Sequence, residues 1–132
     1  MNSVEHQAFR AAVEEKYRVH VQAFKDEVTE PIVTRFFAPD AVWECAGFPR
    51  HEGTEQLRKL FDEVTKAGHE VAFRPIRSYV DGAMGWDFVD YSVRPRDPDA
   101  NPFMFRCIFC WVRRAEDWKV SACVGFTVPY AP

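Results

Sequence analysis

The sequence predicts an α+β fold, and three of its stretches carry that prediction. Near the amino terminus Phe9, Val13, Tyr17, His20, Val21 and Phe24 recur at helical spacing. Behind Thr54, a good helix N-cap, Leu57, Leu60, Phe61 and Val64 fall at i, i+3, i+4 and i+7. After Gly68 the character changes from helix to strands with an apolar period of two. Helices followed by a meander of strands imply a sheet with helices against one face.

The first helix spans residues 3 to about 26, with Glu14 and Arg18 as a favourable i, i+4 pair on its outer side. Pro31 suits the first position of a second, short helix through Ile32, Val33, Phe36 and Phe37, which ends before Pro39. A strand follows, with Trp43 and Cys45 on one face and Val42 and Glu44 on the other. The Thr54 helix closes at Ala67-Gly68, glycine being common just past a helix end. Val71 to Val80 is extended, and Pro75 marks an edge position or a bulge. Asp81-Gly82 is a hairpin turn. The returning strand places Met84, Trp86, Phe88 and Asp90 on one face and Asp87, Val89 and Tyr91 on the other. Arg94 to Pro102, rich in proline and aspartate, is a long loop. A turn at Glu116-Asp117 in the last hairpin sets Cys110 opposite Cys123. One face is then uniformly apolar (Phe105, Cys107, Phe109, Trp111, Ala122, Val124, Phe126, Val128), and the other, with Met104, Arg106, Ile108 and Cys110, is mixed.

The totals narrow the function classes. A chain of 132 residues, 47% hydrophobic and with 12 Phe and 4 Trp, reads as one domain over 1–132 with a real core. Seventeen basic against 20 acidic side chains, without a basic run, make nucleic acid and membrane poor partners. With neither a signal-like amino terminus nor a membrane-length apolar stretch, the expected location is the cytoplasm. Cys107 and Cys110 have metal-like spacing. In a strand, however, a separation of three puts them on opposite faces, so no metal site and no cofactor is expected.

The segment Phe-Ala-Pro-Asp-Ala-Val-Trp-Glu (37–44), a short loop and Glu-Gly-Thr-Glu-Gln-Leu (52–57) resembles the SnoaL-like and ketosteroid isomerase-like branch of the nuclear transport factor 2-like superfamily. Gly82-Ala83-Met84 and the last hairpin extend the likeness over almost the whole chain. The resemblance implies a cone-shaped fold, three N-terminal helices packed on a curved mixed or antiparallel sheet. It also implies a homodimer through the outer sheet face, a role that suits the uniformly apolar face of the final hairpin; the alternative is that this face is the monomer's core. Ketosteroid isomerases use an aspartate base with a tyrosine and a protonated aspartate as oxyanion donors. Tyr17 stands at the tyrosine's place, but the two carboxyl positions carry Cys45 and Cys110. A buried thiol is a weak donor and a poor base, so steroid isomerisation by that route is not expected.

The remaining candidates come from alternation along the strands. Asp90, on the face of Met84, Trp86 and Phe88, is read as a general base in the pocket, with Arg106 roughly opposite as its orienting partner. The same pair also reads as a structural cross-strand ion pair. Tyr17 and His20, one turn apart, complete a catalytic set of Asp90, Tyr17 and His20. Trp43, Cys45, Phe61, Met84, Trp86, Phe88 and Cys110 line the expected cavity together with Arg106. His51 is placed near its mouth, and His6 and His69 are read as exposed. The leading expectation is a SnoaL-like enzyme doing acid/base chemistry (isomerase, cyclase, dehydratase or hydrolase) on a small apolar oxygenated molecule. The alternative is a non-catalytic ligand-binding or dimerisation domain of the same fold.

Overall fold

A computed structural model describes residues 3–131. Helix α1 (Val4–Asp26) is capped by the Ser3 hydroxyl, which accepts from the His6 backbone N–H at 3.0 Å. It ends in a left-handed Glu27 whose N–H closes on the last turn. A five-residue π-helix, Ile32–Phe36, stands where the short second helix is expected and delivers Ile32, Val33 and Phe36 to the core. Strand β1 (Phe37–Cys45) and the two-residue β2 (His51–Glu52) precede helix α2 (Gly53–Lys66). That helix begins one residue before Thr54. Its N-cap is Glu52, whose backbone N–H donates to the Gln56 side chain at 2.7 Å, so Thr54 is not the cap.

Strands β3 (His69–Asp81), β4 (Met84–Pro95), β5 (Phe103–Arg114) and β6 (Asp117–Val128) form the expected antiparallel meander. The six-stranded sheet has the order β2-β1-β6-β5-β4-β3 and is mixed, because β1 pairs parallel with β6. β3 is an edge strand and its register breaks between Pro75 and Arg77, as the proline implies. The core lies between the helices and one sheet face, with Phe9, Val13, Ile32, Phe36, Leu57, Val89 and Trp111 all but sealed from solvent.

Two features of the last hairpin correct the expected register. The turn residues are Ala115 and Glu116, both left-handed (φ 51° and 63°), which pairs Arg114 with Asp117. A bulge then slips the register between Cys110 and Trp111, so that Trp111 faces Val120 while Phe109 faces Cys123. Cys110 lies opposite Ala122, not Cys123. The inner face is therefore Phe105, Cys107, Phe109, Trp111, Trp118, Val120 and Cys123, all buried, while Val124 and Phe126 point outward and are about half exposed. The uniformly apolar β5 row is core. The largest apolar set faces the helices because that is where its area leaves water.

The inward side of β4 follows from pairing with this row, and it is Asp87, Val89, Tyr91 and Val93. Met84, Trp86, Phe88 and Asp90 lie on the outer face, opposite Val112, Cys110, Ile108 and Arg106. Asp87, a charged residue among the inward positions, disguises that side as the wetter one. No described helix is long and apolar enough to cross a membrane.

Candidate functional site

A cavity of about 160 Å³ opens between α1, α2, the end of β1 and the inner face of β4–β6. Its walls are rings: Phe24, Phe37, Phe61, Trp43, Phe105 and Phe109 line it, with Leu60, Val64 and Val93. Phe48 and Phe103 line it too and are 47% and 38% exposed, which marks the mouth between the loop after β1 and the start of β5. The lining includes no Asp, Glu, Lys or Arg. Its polar members are two histidines, a tyrosine and three cysteines.

His20 and Tyr91 form the hydrogen-bonding couple of this wall. The α1 spacing that buries Tyr17 brings His20 inward one turn later, among Phe24, Phe36, Phe61 and Phe73 at ring-centroid distances of 4.5 to 5.7 Å. Tyr91 reaches it from β4, and its hydroxyl lies 2.9 Å from His20 Nε2. The other ring nitrogen, Nδ1, is buried without a partner. Burial pulls the His20 imidazole down to about 3, so it is neutral near pH 7. Burial likewise pushes the Tyr91 hydroxyl well up, holding it as a phenol that can donate.

The three thiols make the second polar cluster. Cys45 and Cys107 both sit opposite Gly125, from β1 on one side and β5 on the other, and Cys123 lies two residues before that glycine on the same face. Their sulfurs are all within 4.8 Å of one another and buried. Hydrogen bonds from Cys107 and Cys123 lower the Cys45 thiol. Cys107 is raised: its bond with Cys123 lowers it, but Cys45 and burial outweigh that. Cys123 is raised by Cys107, by Cys45 and by burial. Cys107 and Cys110 do occupy opposite faces, as their spacing requires.

Of the expected site residues, His20, Trp43, Cys45 and Phe61 meet at the cavity. Asp90 does not. It is on the outer face, where Arg106 holds it bidentately at 2.8 and 3.1 Å and Arg74 adds a third bond at 3.0 Å. The expected Asp90–Arg106 pairing is present, but away from the pocket. Tyr17 is buried one layer beyond the cavity, stacked on Phe73 at 4.0 Å and donating its hydroxyl to Asp87. Met84, Trp86, Phe88 and Cys110 share the outer face with Asp90 and Arg106 and do not line the cavity. His69, expected to be exposed, is partly buried and lines it. Tyr91, Cys107 and Cys123 were missed. The alternation Val89, Tyr91, Val93 is the sequence signal for Tyr91, and Asp87 in the same row obscures it.

A family model of the SnoaL-like domain matches residues 17–121. No curated protein matches the chain. Among solved structures, a protein of unknown function from Mycobacterium tuberculosis superposes with a TM-score of 0.83 at 12% identity, covering 99% of this chain and 79% of that one. A ketosteroid isomerase-like protein from Erwinia carotovora atroseptica gives 0.72 at 14% identity, over 92% and 96%. An NTF-2 like protein of unknown function from Shewanella oneidensis gives 0.76 at 5%, over 89% and 98%. These likenesses concern the fold, whereas the family match spans most of the sequence: the chain belongs to the SnoaL-like domain family.

Proposed function

We propose that this SnoaL-like protein binds a small, apolar, single-ring molecule carrying one oxygen, which the His20–Tyr91 couple anchors. One observation carries this reading: the only hydrogen-bonding imidazole–phenol pair of the lining faces a space of about 160 Å³ walled by aromatic rings. An apolar cavity of roughly 150 Å³ is large enough to hold benzene. Binding is favoured over proton-transfer chemistry because the lining offers no carboxylate, and a neutral histidine held at about 3 is a weak base. In the acid/base reading Asp90 and Tyr17 would have to reach a cavity that neither of them lines.

The test is a calorimetric titration with phenol, repeated with toluene and with Tyr91→Phe. Phenol should bind saturably, and either losing its hydroxyl or losing that of Tyr91 should weaken binding about 5- to 10-fold, the worth of one hydrogen bond. Absence of phenol binding, or equal binding of both rings, rejects the reading. The outer face supports a second copy of the chain as partner: Ile108, Val124 and Phe126 are exposed there as neighbours, and Met84 is exposed on the same face nearer the β3–β4 turn. Light scattering at micromolar concentration should give a dimer mass, and a monomer mass removes that part of the proposal.

A further inference from the structure

We propose that Cys45, Cys107 and Cys123 are a binding site for trivalent arsenic, taken up as neutral arsenous acid. This goes beyond the ring-binding reading and does not depend on the His20–Tyr91 anchor.

The sheet builds the cluster. Cys45 and Cys107 stand on strands that flank β6, two strand spacings apart, and would normally be kept from each other by the side chain between them. That position is Gly125. A Cβ there would lie 2.9 Å from Cys107 Sγ and 2.6 Å from the Arg106 carbonyl oxygen, so the space in which the sulfurs converge exists only with glycine. Three sulfurs within 4.8 Å of one another leave their centre at most about 2.8 Å from each. That is about half an ångström beyond a metal–thiolate bond, a gap that small side-chain rotations close.

Charge and coordination select the occupant. Three thiolates carry three negative charges into a lining without Lys or Arg. A divalent ion would leave the complex anionic in an apolar wall, which is costly. Zinc would also need a fourth donor, and among the described residues no further His, Cys, Asp or Glu ligand atom joins the three sulfurs. A trivalent, thiophilic centre is neutralised by three thiolates. Arsenic(III) also completes its shell with a lone pair and requires no fourth ligand. The step balances without redox: three As–O bonds break and three As–S bonds form. The three thiol protons leave with the three hydroxides as water, and arsenic stays trivalent.

The fully reduced protein, kept free of oxygen, is titrated with arsenite and followed by native mass spectrometry and arsenic X-ray absorption. The expected result is one arsenic per chain, a mass increase of one arsenic less three hydrogens, and three sulfur neighbours with no oxygen. Cys110→Ser, on the outer face, should bind as the unaltered chain does, whereas Cys123→Ser should bind at least about 100-fold more weakly. The absorption measurement needs no variant, so it decides the matter even if Cys123→Ser does not fold. No uptake, two or fewer sulfur neighbours, or tighter binding of zinc or cadmium than of arsenite overturns the proposal. Arsenite uptake by the unaltered chain alongside its failure to bind phenol would reject the ring reading alone.

Discussion

Strand β4 carries two carboxylates three residues apart, and the sheet sends them to opposite faces. Asp87 faces inward and is sealed from solvent; it accepts from the Tyr17 hydroxyl and meets Arg10 Nη1 at 2.9 Å, at an angle that makes an ion contact without an aligned hydrogen bond. Asp90 faces outward yet is only 3% exposed, because Arg106 and Arg74 close over it with three hydrogen bonds. Their proton affinities diverge. Burial raises the Asp87 carboxyl despite the opposing pull of Tyr17 and Arg10, whereas the Arg106 bonds lower Asp90, with burial opposing and Arg74 assisting. A bidentate guanidinium outweighs desolvation; one misaligned guanidinium does not.

Removing the inner carboxylate should have the largest effect. Asp87→Ala strands the Tyr17 hydroxyl and leaves Arg10, whose side chain is 18% exposed, with only Glu14 at 3.5 Å. The expected loss is about 3 kcal/mol by urea denaturation, the lower end for breaking a buried pair. A loss below about 1 kcal/mol would show that the inner cluster is dispensable and end the contrast.

The pH dependence should separate the two sites by sign. Asp87 is raised above its ordinary 3.8, so the native state holds that proton more tightly than the unfolded chain, and its contribution falls as pH climbs above about 4. Asp90 is lowered, so its contribution is full above about 4 and is lost as pH falls below it. Relative to the unaltered chain, Asp87→Asn should therefore gain as pH rises above about 4, while the penalty of Asp90→Asn should fade as pH drops. Parallel curves would refute the assignment. Asp90→Asn should cost least, about 1 kcal/mol near neutral pH and less in high salt, because Arg74 and Arg106 are 57% and 37% exposed and solvent screens them.

The same strand shows what the sequence discloses. The bounds of α1, the opposed faces of Cys107 and Cys110, and the Asp90–Arg106 pairing all follow from local periodicity and are present, while the expected Asp81-Gly82 reversal falls one residue later, at Gly82-Ala83, with Asp81 paired to Met84. Which face is inside does not follow locally. It depended on a turn shifted by one residue to Ala115-Glu116 and on a bulge after Cys110, neither marked by glycine or proline. The shifted turn displaces the pairing by two residues and the bulge returns it by one, and the net slip of one residue moves Cys123 across the sheet. The buried Asp87 completed the disguise, since a charged residue reads as solvent-facing until Arg10 and Tyr17, about 70 residues away, are seen against it.

The break at Pro75 has a consequence for the protein in crowded solution. A thirteen-residue edge strand such as β3 exposes a row of backbone donors and acceptors on which another chain's strand can template. Pro75 removes one donor from the middle of that row, the adjoining register shift twists it, and Arg74 and Arg77 flank the interruption with positive charge. The opposite edge is β2, only two residues long. Neither margin offers a long, flat template, so the sheet can leave an apolar outer face uncovered by its own helices without growing strand by strand into fibres.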